Sequence, residues 1–268
     1  MAKQPLTLDP GSEFRLKDFD PDYTGEYDDK AEAKKQTQKN LDRLTELQEM
    51  LYAQGKKALL IVLQGMDSAG KDGTIRSVMG AFNPQGVQVC PFKVPSAEEL
   101  AHDYLWRVHK VTPRRGMVAI FNRSHYEDVL VVRVDKLVPK EVWRKRYDHI
   151  NEFERLLSDS GVTIVKFFLH ISKEEQAERF RERQETLSKQ WKFSPGDLEV
   201  RKQWDDYQAA YEDALTKCNT KYAPWHAVPA NRNWYRNLVV SDILVETMEQ
   251  MELSYPDPVP NILSYVIE

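Results

Sequence analysis

The sequence carries only two cysteines, Cys90 and Cys218, in 268 residues. Two thiols so far apart build no disulfide framework and no metal half-site. No stretch of 18 or more apolar residues occurs, which excludes a membrane-spanning helix. The opening MAKQPLTLDPGSEF lacks the apolar segment of a secretory leader. A cytoplasmic protein with no membrane partner is therefore expected. Basic charge is not in excess either, since 38 Lys and Arg against 42 Asp and Glu leave a net charge of −4. That disfavours nucleic acid as a partner but allows a polyanionic substrate if cations gather locally. No histidine stands at metal-ligand spacing from another His or Cys. Ser124 has His125 beside it but lies in no nucleophile elbow. Internal repeats and low-complexity linkers are missing too, which favours one domain over residues 1–268.

What is present alternates between two periods. Aliphatic runs at Ala58–Gln64, Val87–Phe92, Met117–Phe121, Val162–Ile171 and Trp225–Pro229 read as strands. Between them lie segments with helical spacing: about 28–53, 70–82, 96–110, a short one at 126–133, then 140–158, 172–185, 198–217 and 231–251. Ser96–Glu99 and Ser172–Glu175 have the form of capping boxes, and Asp197 is the expected cap of the helix after it. Strands alternating with helices imply an α/β fold with a parallel sheet covered on both faces. Residues 1–27 read as an arm lying on the domain, 186–196 as a mobile polar insertion, and 255–268 as a tail docked on the body or on a neighbouring subunit.

The chemistry centres on Leu59–Thr74, LLIVLQGMDSAGKDGT. An aliphatic strand enters a turn with Gly65 and Gly70, and Lys71 opens the next helix. Curled backbone N–H groups, the free amides of a helix start and a lysine charge together suit chained phosphates. The spacing is that of a P-loop, but Asp72 replaces the usual Ser/Thr after the lysine, and Asp67 sits inside the loop. Asp67 either caps the loop, orients an attacking phosphate oxygen, or helps to hold Mg²⁺, which favours a few carboxylates with phosphate oxygens and water. The third strand ends in Asn122-Arg123-Ser124, with Glu127 and Asp128 one turn on. Arg123 is placed either to pair phosphate oxygens or to bridge Glu127. Arg179 and Arg183 share a helix face. They stand either as lid arginines over a transferring phosphoryl group or in pairs with Glu175, Glu178 and Glu182.

The motifs GMDSAGKDGT, FNRSHYEDVLVVRV, KRYDHINEFERLL and KFFLHISKEEQAERF, in this order, resemble the polyphosphate kinase 2 family, and Asn122 with Glu127-Asp128 resembles its class III branch. The resemblance implies a three-layer P-loop kinase fold related to thymidylate and adenylate kinases, with a five-stranded parallel sheet. An N-terminal arm and helix (1–55), a helical lid (about 179–205) and a C-terminal tail (252–268) belong to the same domain. It implies Mg²⁺-dependent, reversible phosphoryl transfer between inorganic polyphosphate and AMP or ADP, with guanine nucleotides left open, in a homodimer or homotetramer. By motif match, Asp67, Lys71, Arg123, Arg179 and Arg183 are the catalytic set, and Asp67, Glu127 and Asp128 the metal set. Gly65, Met66, Ser68, Ala69, Gly70, Asp72, Gly73, Thr74, Lys93, Asn122, Ser124, Tyr126 and Arg133 are the nucleotide- and phosphate-binding set. Two other readings stand beside it, an ATP-dependent nucleoside monophosphate kinase and a nucleotide-binding regulator without turnover.

Overall fold

The computed structural model describes residues 7–25, 27 and 29–267; the parts of the arm, first helix and tail at residues 1–6, 26, 28 and 268 lie outside them. Five strands, β1 (Ala58–Gln64), β2 (Val87–Pro91), β3 (Val118–Asn122), β4 (Val162–His170) and β5 (Trp225–Pro229), form one sheet of order β2-β3-β1-β4-β5. Every pairing is parallel, with Leu63 opposite Asn122 on one side and Phe167 on the other. All seven residues of β1 are buried, as a strand covered on both faces requires. The helices are α1 (Lys30–Gln54), α2 (Lys71–Ser77), α3 (Ala97–Leu100), α4 (Trp106–His109), α5 (Val131–Val134), α6 (Lys140–Asp159), α7 (Lys173–Glu185), α8 (Pro195–Lys202), α9 (Trp204–Lys217) and α10 (Asn233–Glu249). Helices α1, α2 and α10 pack together as one layer, and α5, α6 and α9 as the other. The chain leaves the C-terminal ends of β1 and β3 in opposite directions along the sheet, which opens a crevice over those two strand ends.

Four expected helices are shorter or broken; the short one at 126–133 is a 3-10 turn, His125–Asp128, followed by α5. The one from Gly70 ends at Ser77 and continues as a 3-10 turn, Met79–Ala81. The helix from Ser96 stops at Leu100. Asp103 then accepts from the Leu105 N–H, and the chain restarts at Trp106. The helix of residues 198–217 is two, joined at Gln203. Ser194 is its N-cap residue, and Asp197 lies inside the first turn, where its carboxylate faces Arg183 at 3.4 Å. The Ser96 capping box is complete. At Ser172 only the hydroxyl half forms, because Glu175 is drawn to Arg179 Nε at 2.7 Å.

The described arm does lie on the body. Leu8 N–H donates to Trp225 O at the β5 edge, and Leu8, Phe14 and Leu16 are buried. Residues 255–267 of the tail are exposed, with Leu263, Val266 and Ile267 almost wholly so. One polar cluster is sealed in the core. Lys166 on β4 donates to Glu154 (2.6 Å), to the Tyr126 hydroxyl (2.7 Å) and to Cys218 O (2.7 Å). Glu154 also meets His125 at 3.1 Å. Burial of this kind is tolerable only because the charges are paired and hydrogen-bonded.

Candidate active site

The loop after β1 has an unusual backbone. Gly65 (φ +146°), Ser68 (φ +66°) and Gly70 (φ +104°) all lie at positive φ. A Cβ on Gly65 would sit 2.7 Å from Leu169 O, and one on Gly70 would sit 2.0 Å from a guanidinium nitrogen of Arg236. Both positions therefore need glycine. The loop's carbonyls are held from outside by α7: Gln176 donates to Asp67 O (2.9 Å) and Arg179 to Ser68 O (2.8 Å). The first amides of α2 have no intrahelical acceptor and carry its positive dipole end. The Ser68 hydroxyl, buried in the loop, has no hydrogen-bond partner among the described residues.

Lys71 is buried beneath the loop, donating to Gly65 O (2.6 Å) and Met66 O (3.1 Å). Burial, aided by the Arg123 charge, lowers its pKa to about 8, although Asp67, Glu127 and Asp72 favour the charged form. Arg123 itself adopts positive φ at the end of β3. Its guanidinium joins Asp67 (2.5 Å) to Glu127 (3.3 Å), which holds its pKa above the usual range. The bland alternative, an Arg123–Glu127 bridge, is thus present, and the same arginine also reaches the loop. Asp72, unassigned from sequence beyond the phosphate-binding set, accepts from the Asn122 amide (2.9 Å) and faces Lys192 of the lid (3.4 Å). Burial acts to raise its pKa, but these two partners outweigh it and the net shift is downward.

These groups line a cleft of about 820 Å³ over the strand ends. Its cationic side chains are Lys71, Arg76, Lys93, Arg123, Arg179, Arg183, Lys189, Lys192 and Arg236, against the carboxylates Asp67, Asp72 and Glu182. Nine cations against three anions make a strongly positive cavity in a chain of net charge −4. From the stretch expected as a lid, α7 and the 3-10 turn Leu187–Lys192 contribute Arg183, Lys189, Trp191 and Lys192 to the lining.

Not every expected residue reaches the cleft. Arg179 lines it, but its donors go to Glu175, to Ser68 O, and to Ala230 O (2.6 Å) and Asn231 O (3.0 Å). It straps the loop to the end of β5. Arg183 pairs with Asp197 at 3.4 Å and lies over the Phe180 ring, with donors to spare. Asp128 is turned away, its carboxylate and its carbonyl both accepting from Arg146 at 2.7 and 3.2 Å. Burial pushes its pKa up to about 6 despite that partner. Tyr126 is sealed in the Lys166–Glu154 cluster. Ser124 caps the turn at Tyr126 N–H (3.1 Å), and Arg133 pairs with Asp213 (2.5 Å). Gly65, Met66, Ala69 and Thr74 shape the loop from behind and do not line the cleft.

Sequence reasoning missed Arg76, Lys189, Trp191 as a cleft residue, Lys192 and above all Arg236. A signal for Arg236 was available. It shares the α10 stripe of Val239, Val240 and Ile243 at helical spacing, and a cation in an apolar stripe needs a reason to be there.

Among the described residues no three His, Cys, Asp or Glu side chains are grouped to hold a metal ion, and no helix is long and apolar enough to cross a membrane. Comparison with known proteins agrees with the geometry. A protein from Meiothermus ruber named AMP/ADP-polyphosphate phosphotransferase is 56% identical over 97% of this chain and 98% of its own. An ADP-polyphosphate phosphotransferase from Rhodopseudomonas palustris is 48% identical over 82% of this chain and 80% of its own. The crystal structure of polyphosphate kinase 2 from Arthrobacter aurescens superposes with a TM-score of 0.93 at 44% identity, covering 97% of this chain and 93% of that one. The family description Polyphosphate kinase 2 matches residues 27–256, so the chain belongs to the polyphosphate kinase 2 family.

Proposed function

We propose that this enzyme transfers the end phosphoryl group of inorganic polyphosphate to AMP and ADP, reversibly and with Mg²⁺. The observation that carries the reading is the cleft's nine cations around a phosphate loop. The names of the relatives from Meiothermus and Rhodopseudomonas support polyphosphate rather than ATP as donor.

The residues suit such a transfer. The nucleophile is a phosphate oxygen of the nucleotide, already anionic, so no strong general base is required; among the described residues no histidine lines the cleft. Catalysis then rests on positioning and on neutralising charge. Lys71 uses two of its three donors on loop carbonyls and keeps one for a phosphate oxygen. Arg123, fixed from two sides by carboxylates, presents a rigid charge at the β3 end. Arg183 supplies a further charge from α7, and Arg179 acts by holding the loop.

Asp67 lines the cleft beside the loop amides, and Glu127 stands across Arg123 from it. One carboxylate with room for phosphates and water fits Mg²⁺, and Asp67 would hold it; Glu127, on the far side of the Arg123 guanidinium, does not line the cleft. Asp128, committed to Arg146, does not fit. Bound Mg²⁺ would spread the charge of the phosphate oxygens.

The test presents AMP, ADP, GMP and GDP singly with polyphosphate and Mg²⁺ and follows the products. Phosphorylation of AMP and ADP is expected. A requirement for ATP as donor would overturn the reading.

A further inference from the structure

Arg179 holds the phosphate loop only as firmly as its other partners are held. Its Nη1 donates to Ser68 O (2.8 Å), and its Nη2 to Ala230 O (2.6 Å) and Asn231 O (3.0 Å) in the turn between β5 and α10. The place of that turn therefore sets the place of the Ser68 carbonyl. Ser68 needs such support, because a non-glycine residue at φ +66° persists only where its surroundings over-determine it.

Asn231 fixes the turn. It is buried, and its polar groups reach the N-terminal arm, the start of α7 and Arg179. Its N–H donates to Pro21 O (3.1 Å) and its Nδ2 to Asp22 Oδ2 (2.8 Å), both on the arm. Its Oδ1 accepts from the N–H of Ser172 (3.0 Å), the N-cap residue of α7. A carboxamide fills this place in one orientation only, donor to the arm and acceptor to α7; Asp lacks the donor, and Leu lacks both. The arm is itself anchored on α9, with Phe14 N–H donating to Thr216 Oγ1 (3.1 Å) and Leu16 N–H to Glu212 Oε1 (2.8 Å). Asp22 is steadied by its own N–H, which donates to Asp20 Oδ1 (2.9 Å). No described residue of the arm lines the cleft, and the arm as far as Gly25 precedes residues 27–256, which the family description matches.

We propose that Asn231 is a positioning residue for phosphoryl transfer: with Asp22 of the arm it fixes the carbonyls that Arg179 grips, and through Arg179 the loop above Lys71. The assignment rests on the phosphoryl-transfer reading above. It makes the arm part of the catalytic apparatus without any contact to substrate. Misplacing reacting groups by about an ångström costs up to about a hundredfold in rate, so a loosened turn is felt in kcat.

The test measures kcat for phosphorylation of ADP by polyphosphate, well below the lowest Tm, in wild type, Asn231→Asp, Asp22→Asn and the exchanged pair Asp22→Asn/Asn231→Asp, with Tm recorded for each. Asn231→Asp sets two carboxylates against each other and is expected to lower kcat about tenfold. Asp22→Asn keeps an acceptor, and the exchanged pair moves the donor to position 22, so both should stay within about threefold of wild type. Asn231→Asp is then repeated in Arg179→Lys, where the fork that grips the carbonyls is gone. A residue that acts through Arg179 loses its effect on rate there, so the kcat loss should shrink to about twofold or less while Tm falls as much as before. An equal kcat loss in both backgrounds, unchanged kcat in folded Asn231→Asp, or an exchanged pair as slow as Asn231→Asp would overturn the proposal. If Asn231→Asp does not fold, Asp22→Ala, at a half-exposed side chain, takes its place in the same cycle. About a threefold kcat loss is then expected beside Arg179 and none beside Arg179→Lys; equal losses in both, or none in either, would overturn the proposal. A wild type that transfers nothing from polyphosphate would instead overturn the functional reading.

Discussion

Lys71 is expected to make polyphosphate binding a proton-uptake reaction in mildly alkaline solution. In the free protein, burial and the Arg123 charge hold its pKa at about 8. A bound polyanion favours the charged form and restores the pKa toward its ordinary value. Binding above pH 8 must then first protonate the lysine. Apparent affinity falls about tenfold by pH 9 and about thirtyfold by pH 9.5. The stability effect has the opposite sign. The folded pKa lies below the unfolded one, so the unfolded chain binds more protons between about pH 8 and 10.5. Stability of the free protein therefore rises with pH across that window, by about 3 kcal/mol at most from this group. The assay is kcat/KM for polyphosphate between pH 7 and 9.5, with calorimetry at pH 9 in buffers of different ionisation enthalpy. Uptake of about 0.9 proton per site is expected at pH 9. Lys71→Arg, always charged, should be slower but should lose the alkaline limb. A flat wild-type profile to pH 9.5, or binding heats independent of buffer, would refute the reasoning.

Two further perturbations follow from the geometry. Gly70→Ala places a Cβ 2.0 Å from Arg236 at φ +104°. It should cost about 2–3 kcal/mol, lower Tm by several degrees and reduce kcat/KM at least about tenfold. Adding Arg236→Ala should return part of the stability in a melting experiment but none of the activity. Tyr126→Phe removes a hydroxyl that donates to Glu154 at 2.9 Å and accepts from Lys166 at 2.7 Å. Denaturant titration should show a loss of about 1–3 kcal/mol, with KM for nucleotides within about twofold. A raised KM at unchanged stability would return Tyr126 to the substrate site.

The five strands and the phosphate loop were legible because their signals are local. The aliphatic run of Ala58–Gln64 needs two covered faces, and Gly65 and Gly70 need positive φ, whatever the rest of the chain does. The helix breaks at residues 101–105 and at Gln203 were not legible, because the apolar spacing continues through them. Site assignments failed where a side chain had a choice of partners. Asp128 and Glu127 are neighbours in sequence, yet Arg146 on α6 takes one and Arg123 takes the other. Arg179 and Arg183 share a helix face, but only Arg179 meets the loop and β5 carbonyls. Arg236 comes to the loop from 166 positions away in sequence, and only tertiary packing brings them together. Lys166 was hidden within its strand for the same reason, since Glu154 and Tyr126 approach it from other elements.

The most direct measurement starts from AMP, Mg²⁺ and polyphosphate, with ATP excluded, and follows adenine nucleotides over time for wild type and for Lys71→Ala verified as folded. Wild type should form ADP first and then ATP, while the variant forms neither at an appreciable rate. Product formation only on addition of ATP, or wild-type rates in Lys71→Ala, would contradict the account.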